Sequence, residues 1–322
     1  MSFALIRCRS PVHPYNYRMS APTRTQRASQ PQTEQRNPAS KNLDRMSALE
    51  IVRLMNREDG KVAAAVSRQL PAIARAVNAI AQRLGNGGRL IYAGAGTSGR
   101  IASLDAAECA ATFGVPPQMV QAIIAGGKRA VTRAVEGAED RVQDAVRELK
   151  RIRLGEKDVV VGIAASGTTP YVLAALAFAI KRRALTIGFS CNRNSPLEKA
   201  GKIAITTEVG PEILTGSTRL KAGTAQKLVL NMLSTAVMVR LGYIYDNLMI
   251  DMMLSNHKLK GRMKNILCAA TGRDLSAVDH ALRQSKHNPR VALVMLKCAL
   301  PMEKAHRRLA AAKGNLRSAL GE

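Results

Sequence analysis

The sequence predicts an α/β protein: a five-stranded parallel sheet flanked by helices, with N-terminal helices before it and a small C-terminal helical domain after it. Three observations carry this. Five short apolar runs start at Leu90, Ala122, Val159, Leu185 and Ile203, each separated from the next by a helical stretch. All five are continuous rather than alternating, as strands buried on both faces are, and strands that alternate with helices read as βαβ units. The first and third runs each end in a small, hydroxyl-rich turn that opens a helix.

The elements follow in order. Residues 1–32 read as a flexible basic extension, rich in Pro, Ser, Arg, Gln and Thr and without acid, a composition that cannot bury a core of its own. It shares the look of an organellar transit peptide, and Met19 offers a second start; the plainer reading is an extension. Residues 33–88 form an N-terminal helical segment. Ser47 and Glu50 make a capping box before Leu49, Ile51, Val52 and Met55, which share a face. A second helix runs from about Gly60 to Leu84, stopped by Gly85-Asn86-Gly87-Gly88. Residues 89–255 hold the sheet and a long helix from about Thr224 to Leu241. Residues 256–322 hold three shorter helices. Leu275, Val278 and Leu282 share one face, Asn288-Pro289 caps and opens a helix, and Pro301 breaks the next.

The chain has 322 residues, with 49 Lys and Arg against 23 Asp and Glu, a formal net charge of +26. That charge raises nucleic acid as a partner. Four Phe, six Tyr and no Trp are poor material for base stacking, and no standard nucleic-acid motif is present. A basic protein that handles small anions is the better reading, so a nucleic-acid partner is not expected. No apolar run approaches the ~18 residues of a membrane helix, so no membrane association is expected. Cys8, Cys109, Cys191, Cys268 and Cys298 show no zinc-type spacing; reduced thiols fit a cytoplasmic protein. The histidines show no metal spacing, and no metal site is expected.

Gly94-Ala95-Gly96-Thr97-Ser98-Gly99-Arg100 follows the first strand and opens a helix. Gly96 and Gly99 let the backbone approach a ligand, free N–H groups and the helix dipole favour phosphate, and Thr97 and Ser98 add hydroxyls. It is neither a Rossmann fingerprint nor a Walker A loop. Ser166-Gly167-Thr168-Thr169-Pro170 repeats the logic after the third strand. Either turn alone reads equally well as a tight strand–helix connection; two of them at strand C-termini belong on one crevice. A third polar turn, from Thr215 to Thr224, brings Ser217, Arg219 and Lys221 before the long helix. By pattern alone, Asp105, Glu108, Glu136, Glu139 and Asp140 read as a solvated charged face. Cys109 reads as a buried thiol rather than a nucleophile.

Two such turns on a five-stranded parallel sheet resemble the sugar-isomerase (SIS) domain, a phosphosugar-binding fold. The strings LIYAGAGTSGR, LDAAECAATFGV, IIAGG, AVEGAED, DVVVGIAASGTTPYV, TGSTRLKAGTAQKLVLNMLST and NLMIDMM are similar to those of the N-acetylmuramic acid 6-phosphate etherases. Thr33 to Asn56 resembles that family's N-terminal segment. The resemblance is densest from Leu90 to Met253 and does not reach residues 1–30. It implies cleavage of the ether between sugar C3 and D-lactate, with water and without a cofactor, by a cytoplasmic homodimer acting on a small phosphosugar. It implies Glu108 and Glu139 as the catalytic pair. Substrate would be bound by Gly96, Thr97, Ser98, Gly99, Arg100, Ser166, Gly167, Thr168, Thr169, Ser217 and Lys221, with Arg100 or Lys221 on the lactyl carboxylate. Three positions depart from the family pattern: Ala110-Ala111 replaces Pro-Pro, Thr168 replaces Arg, and Leu220 replaces Met. The lost Arg removes one anion contact, and no departure removes a glutamate. A sugar-phosphate-sensing SIS regulator without chemistry, or a phosphosugar isomerase, are the alternatives.

An elimination mechanism suits two carboxyl groups: Glu139 as base at C2, and Glu108 as the acid on the ether oxygen that later activates water. One tension follows from the spacing. If the helix from Ser98 is unbroken, Glu108 lies ~15 Å along its axis, far from a phosphate at the N-terminus. Either that helix breaks early, or Glu108 serves a site completed by a partner subunit.

Overall fold

The computed structural model describes residues 30–252, 257–312 and 314–322. Its sheet contains β1 (Leu90–Gly94), β2 (Val120–Ile124), β3 (Val159–Ile163), β4 (Leu185–Ser190) and β5 (Ile203–Thr206). All pairs are parallel, in the order β2-β1-β3-β4-β5. The direction of strand addition reverses at β1, so the crevice outside the C-terminal ends of β1 and β3 is the switch point where such sheets collect ligands. Gly94 is level with Ile124 and Ile163, so the turns after all three strands leave one edge.

Alternate residues of β1 enter two different cores. Leu90 and Tyr92 pack with Ile80, Ala102 and Leu230; Ile91 and Ala93 pack with Leu149 and Leu176. That two-sided burial explains why the runs are apolar without alternation. The first core is covered by α3 (Leu70–Gly85), α4 (Gly96–Phe113) and α9 (Lys221–Arg240). The second is covered by α6 (Val142–Arg151) and α7 (Pro170–Lys181). Short helices α5 (Arg129–Thr132) and α8 (Pro196–Ala200) complete this region.

Ahead of the sheet, three 3₁₀ turns (Gln32–Glu34, Pro38–Ser40, Leu43–Arg45) lead into α1 (Ala48–Asp59) and α2 (Val62–Ser67). The capping box forms: Glu50 N–H donates to Ser47 Oγ and Ser47 N–H to Glu50 Oε2. The face expected to be buried on α1 is not: Leu49 and Val52 are exposed, and Leu54 and Glu58 are buried instead. The single helix expected from Gly60 to Leu84 is two, divided around Arg68 and Gln69 just before Pro71, whose missing N–H suits a helix start.

The tail holds five helices among the described residues rather than three: α10 (His257–Thr271), α11 (Leu275–Gln284), α12 (Pro289–Cys298), α13 (Met302–Ala311) and α14 (Leu316–Leu320). They share a separate core that includes Met263, Leu267, Val278, Leu282 and Leu293. Asn288 caps α12 through Val291 N–H. Residues 31–322 form one compact unit. The expected basic extension, with Cys8, His13 and Met19, lies outside the described residues as far as residue 29; at its end, Gln32 Oε1 accepts from Gly210 N–H. Among the described residues no helix is long and apolar enough to cross a membrane.

Candidate active site

The turn between β1 and α4 is built on close approach. A Cβ on Gly94 would lie 2.7 Å from Gly99 N, and one on Gly99 would lie 2.5 Å from Ile124 Cγ1. Gly96 takes a left-handed φ of +53°, with nothing within 4 Å of a would-be Cβ. The result is a bare stretch of backbone leading into the first turn of α4, whose N–H groups lack intrahelical acceptors and carry the positive end of the dipole. Ser98 is buried there, with Thr97 and Arg100 half-buried.

The turn after β3 is held from below. Gly167 has φ +75°, and a Cβ there would meet Ser195 Cβ at 2.4 Å. Asn192 Nδ2 donates to the carbonyls of Ala165 (3.1 Å) and Ser166 (3.2 Å) and to Thr33 Oγ1 (3.0 Å). Thr168 donates through N–H and Oγ1 to Ser166 Oγ. Thr169 precedes Pro170 at the N-cap of α7 and makes no side-chain cap, so its hydroxyl is not committed to closing the helix. Two hydroxyl-bearing helix starts therefore flank one switch point.

The third turn is fixed by buried charge. Glu212, fully buried, accepts from the N–H groups of Lys221 (3.1 Å) and Ala222 (2.9 Å), capping α9. Lys221 Nζ donates to Glu58 Oε2 at 2.7 Å, and both side chains are at least 97% buried. Asn37 and Lys61 donate to the same carboxylate. Burial would raise the Glu58 carboxyl, but donation from Lys221, Lys61 and Asn37 outweighs it and holds it at about 2. Lys221 is thus removed from the substrate-binding set: its ammonium is spent on Glu58 beneath the turn. Ser217 stays half-buried in the turn, and α9 reaches the first loop, where Gly223 lies against Thr97.

The two glutamates part company. Glu139 sits in a 3₁₀ turn (Ala138–Asp140) after left-handed Gly137 and lines a cavity of about 160 Å³ with Gly96, Arg100 and Glu136. The Arg100 Nε–H is anchored on the Ala130 carbonyl at 3.0 Å. Glu108 is exposed and lines no part of that cavity. α4 is unbroken from Gly96 to Phe113, so the early break considered from the sequence does not occur. Its register is set by Asp105, which accepts from Tyr92 OH (2.9 Å), Asn231 Nδ2 (2.7 Å) and Ser234 Oγ (3.0 Å). Cys109 is no nucleophile: burial, then the nearby Asp105 charge, pushes its thiol to about 12.

Sequence reading placed Glu136 on a solvated face, whereas it lines the cavity, and it missed Glu58, Glu212 and Asn192. Glu136 could have been found, three residues before Glu139 in the same string. Nothing local links Glu58 to Lys221, 163 residues away.

Comparison with known proteins gives the fold and the family. The model of the glucokinase regulatory protein N-terminal SIS domain matches residues 72–180, and the SIS domain model matches residues 143–236. N-acetylmuramic acid 6-phosphate etherase from Clostridium beijerinckii is 50% identical over 90% of this chain and 95% of its own length. The enzymes of that name from Actinobacillus pleuropneumoniae and Caldanaerobacter subterraneus are 49% and 48% identical, each over 89% of this chain and 95% and 94% of theirs. With identity of that order over about nine-tenths of the chain, the chain belongs to the N-acetylmuramic acid 6-phosphate etherase family.

Proposed function

We propose that the protein is a carbon–oxygen lyase that cleaves the D-lactyl ether of N-acetylmuramic acid 6-phosphate, giving N-acetylglucosamine 6-phosphate and D-lactate. The observation that carries the reading is the shared cavity of Glu139, Arg100 and Gly96: a carboxylate beside a phosphate-ready helix start. Phosphate binds on Thr97, Ser98, Ser166 and Thr169, with Gly96, Gly99, Gly167 and Thr168 shaping the turns and Ser217 closing the third side. With Lys221 spent on Glu58, Arg100 is the cation left in the Glu139 cavity.

The chemistry starts with ring opening, which exposes an aldehyde at C1 and acidifies the C2 proton. Glu139 takes that proton. The C3–O bond breaks as Glu108 protonates the ether oxygen, so lactate leaves as the free hydroxy acid and C2=C3 forms. Water then adds to C3, giving its proton to Glu108, while Glu139 returns a proton to C2. One water is consumed, and no cofactor enters the reaction.

Glu108 acts in a site shared between subunits of a cytoplasmic homodimer. The face around it on α4 supports this: Leu104 is 58% exposed, Ala107 and Ala111 are exposed beside it, and a second copy would cover them. The organisation we favour is the sheet domain at 89–255, the helical segments 33–88 and 256–322, and the extension 1–32. The test is incubation with N-acetylmuramic acid 6-phosphate and detection of D-lactate. In ¹⁸O water the label should enter C3 of the sugar; label in lactate overturns the mechanism.

A further inference from the structure

The cavity around Glu139 holds about 160 Å³, whereas pockets for ligands of this size run to roughly 300–1,000 Å³. A larger cavity, about 660 Å³, lies elsewhere, between the third turn and the irregular segment 36–44. That segment makes no strand and no α-helix, yet it is tightly held. Thr33 is 1% exposed and bonded to Asn192 beneath the second turn, while Asn37 donates to Glu58 and to the Pro211 carbonyl beneath the third. A strap anchored by buried polar groups at two ligand-binding turns sets the position of what it presents. It presents Arg36, Ser40, Lys41, Asn42 and Asp44, opposite Leu214. Asn42 takes the left-handed region at φ +59°, which asparagine tolerates.

We propose that this strap cavity is the binding subsite for the acid-bearing part of a sugar acid. Two cations, Arg36 and Lys41, meet its carboxylate; Asp44, Ser40 and Asn42 meet hydroxyl and amide groups; and the Leu214 wall packs on the C–H face of the ring. No ion pair engages Arg36 or Lys41 among the described residues. The assignment rests on the etherase reading and adds to it the discrimination of substrate from product: only the substrate carries the carboxylate, while both carry the phosphate.

The test uses full-length protein and the double variant Arg36→Ala/Lys41→Ala. Both side chains are exposed, so the melting temperature should not move. KM for N-acetylmuramic acid 6-phosphate should rise about tenfold or more, the loss of charge-assisted bonds, while Kd for N-acetylglucosamine 6-phosphate stays within about twofold. Unphosphorylated N-acetylmuramic acid should shift the Ser40 and Asn42 amide resonances of the wild type and not those of the variant. Equal weakening of both phosphosugars, an unchanged KM, or no strap shifts with N-acetylmuramic acid overturns the subsite. If the wild type releases no lactate, the etherase reading fails by itself, and the strap is still decided by the resonance shifts.

Discussion

Lys221 Nζ and Glu58 Oε2 lie 2.7 Å apart, buried, at the junction of α1 and α9. The pair ties the third turn to the N-terminal strap, because Asn37 donates to the same carboxylate. Its sign with pH can be worked out. Free, the Glu58 carboxyl would titrate at 4.5; folded, it is held at about 2, because three donors outweigh the upward push of burial. Between these values the unfolded chain takes a proton that the folded chain refuses. The stabilisation is therefore complete above pH 4.5 and lost as the pH falls through about 2.

Urea unfolding across pH 3–7 should thus show an acid limb in the wild type that is shallower in Glu58→Gln/Lys221→Met. Lys221→Met alone should cost ~3–5 kcal/mol at neutral pH, since it leaves a buried carboxylate without its main partner. Parallel acid limbs in wild type and double variant would remove Glu58 as the source.

The phosphate turns make a second prediction. Gly94→Ala forces a Cβ to within 2.7 Å of Gly99 backbone, so the first turn must open. Binding of substrate and phosphosugar product should fall together. Ser98→Ala and Ser166→Ala should each weaken both ligands by ~1.5–3 kcal/mol, the loss of a charge-assisted bond. Calorimetry with N-acetylglucosamine 6-phosphate checks this, and equal affinity for the unphosphorylated sugar would reject the cradle.

Periodicity and turn chemistry made the sheet legible, because each strand is one apolar run and each functional turn announces itself with glycines and hydroxyls in succession. Gly96 was legible in its turn, whereas Glu139 read by pattern as a solvated face and was singled out only by the family resemblance; folding around β1 brings the two to one cavity. Lys221 was misread because its partner, Glu58, lies on an N-terminal helix whose buried face does not follow the apolar pattern. Leu49 and Val52 looked like core and are exposed; the polar Glu58 is the residue that turns inward. Charge pairing across 163 residues leaves no local trace, whereas capping at Ser47 and Asn288 does.

The glutamates should separate by assay. Exchange of the C2 proton with solvent needs a base but no departure of lactate. Glu139→Gln should lose both exchange and cleavage. Glu108→Gln should lose cleavage by ~10²–10⁴-fold and retain exchange into unreacted substrate, read by NMR in deuterated water. Cleavage at the wild-type rate in Glu108→Gln would unseat it as the acid. Full activity in both variants would return the carboxylates to a solvated face.

Mixing those two inactive variants tests where the acid comes from. α4 is continuous and Glu108 is exposed, roughly 15 Å along the helix from Ser98, and within one chain it does not line the cavity that holds Glu139. If each site takes Glu139 from one subunit and Glu108 from the other, a mixed dimer of Glu108→Gln with Glu139→Gln contains one intact site and one doubly damaged site. Random exchange makes about half the dimers mixed, so activity should recover to about a quarter of wild type in a two-fold dimer. Leu104→Arg should abolish that recovery and make wild-type activity depend on protein concentration, because it places a charge in the apolar face that a second copy would cover. No recovery after subunit exchange is demonstrated by mass spectrometry would confine both glutamates to one chain. The wild type would then have to move α4, and a disulfide or crosslink tying α4 to α9 should abolish turnover.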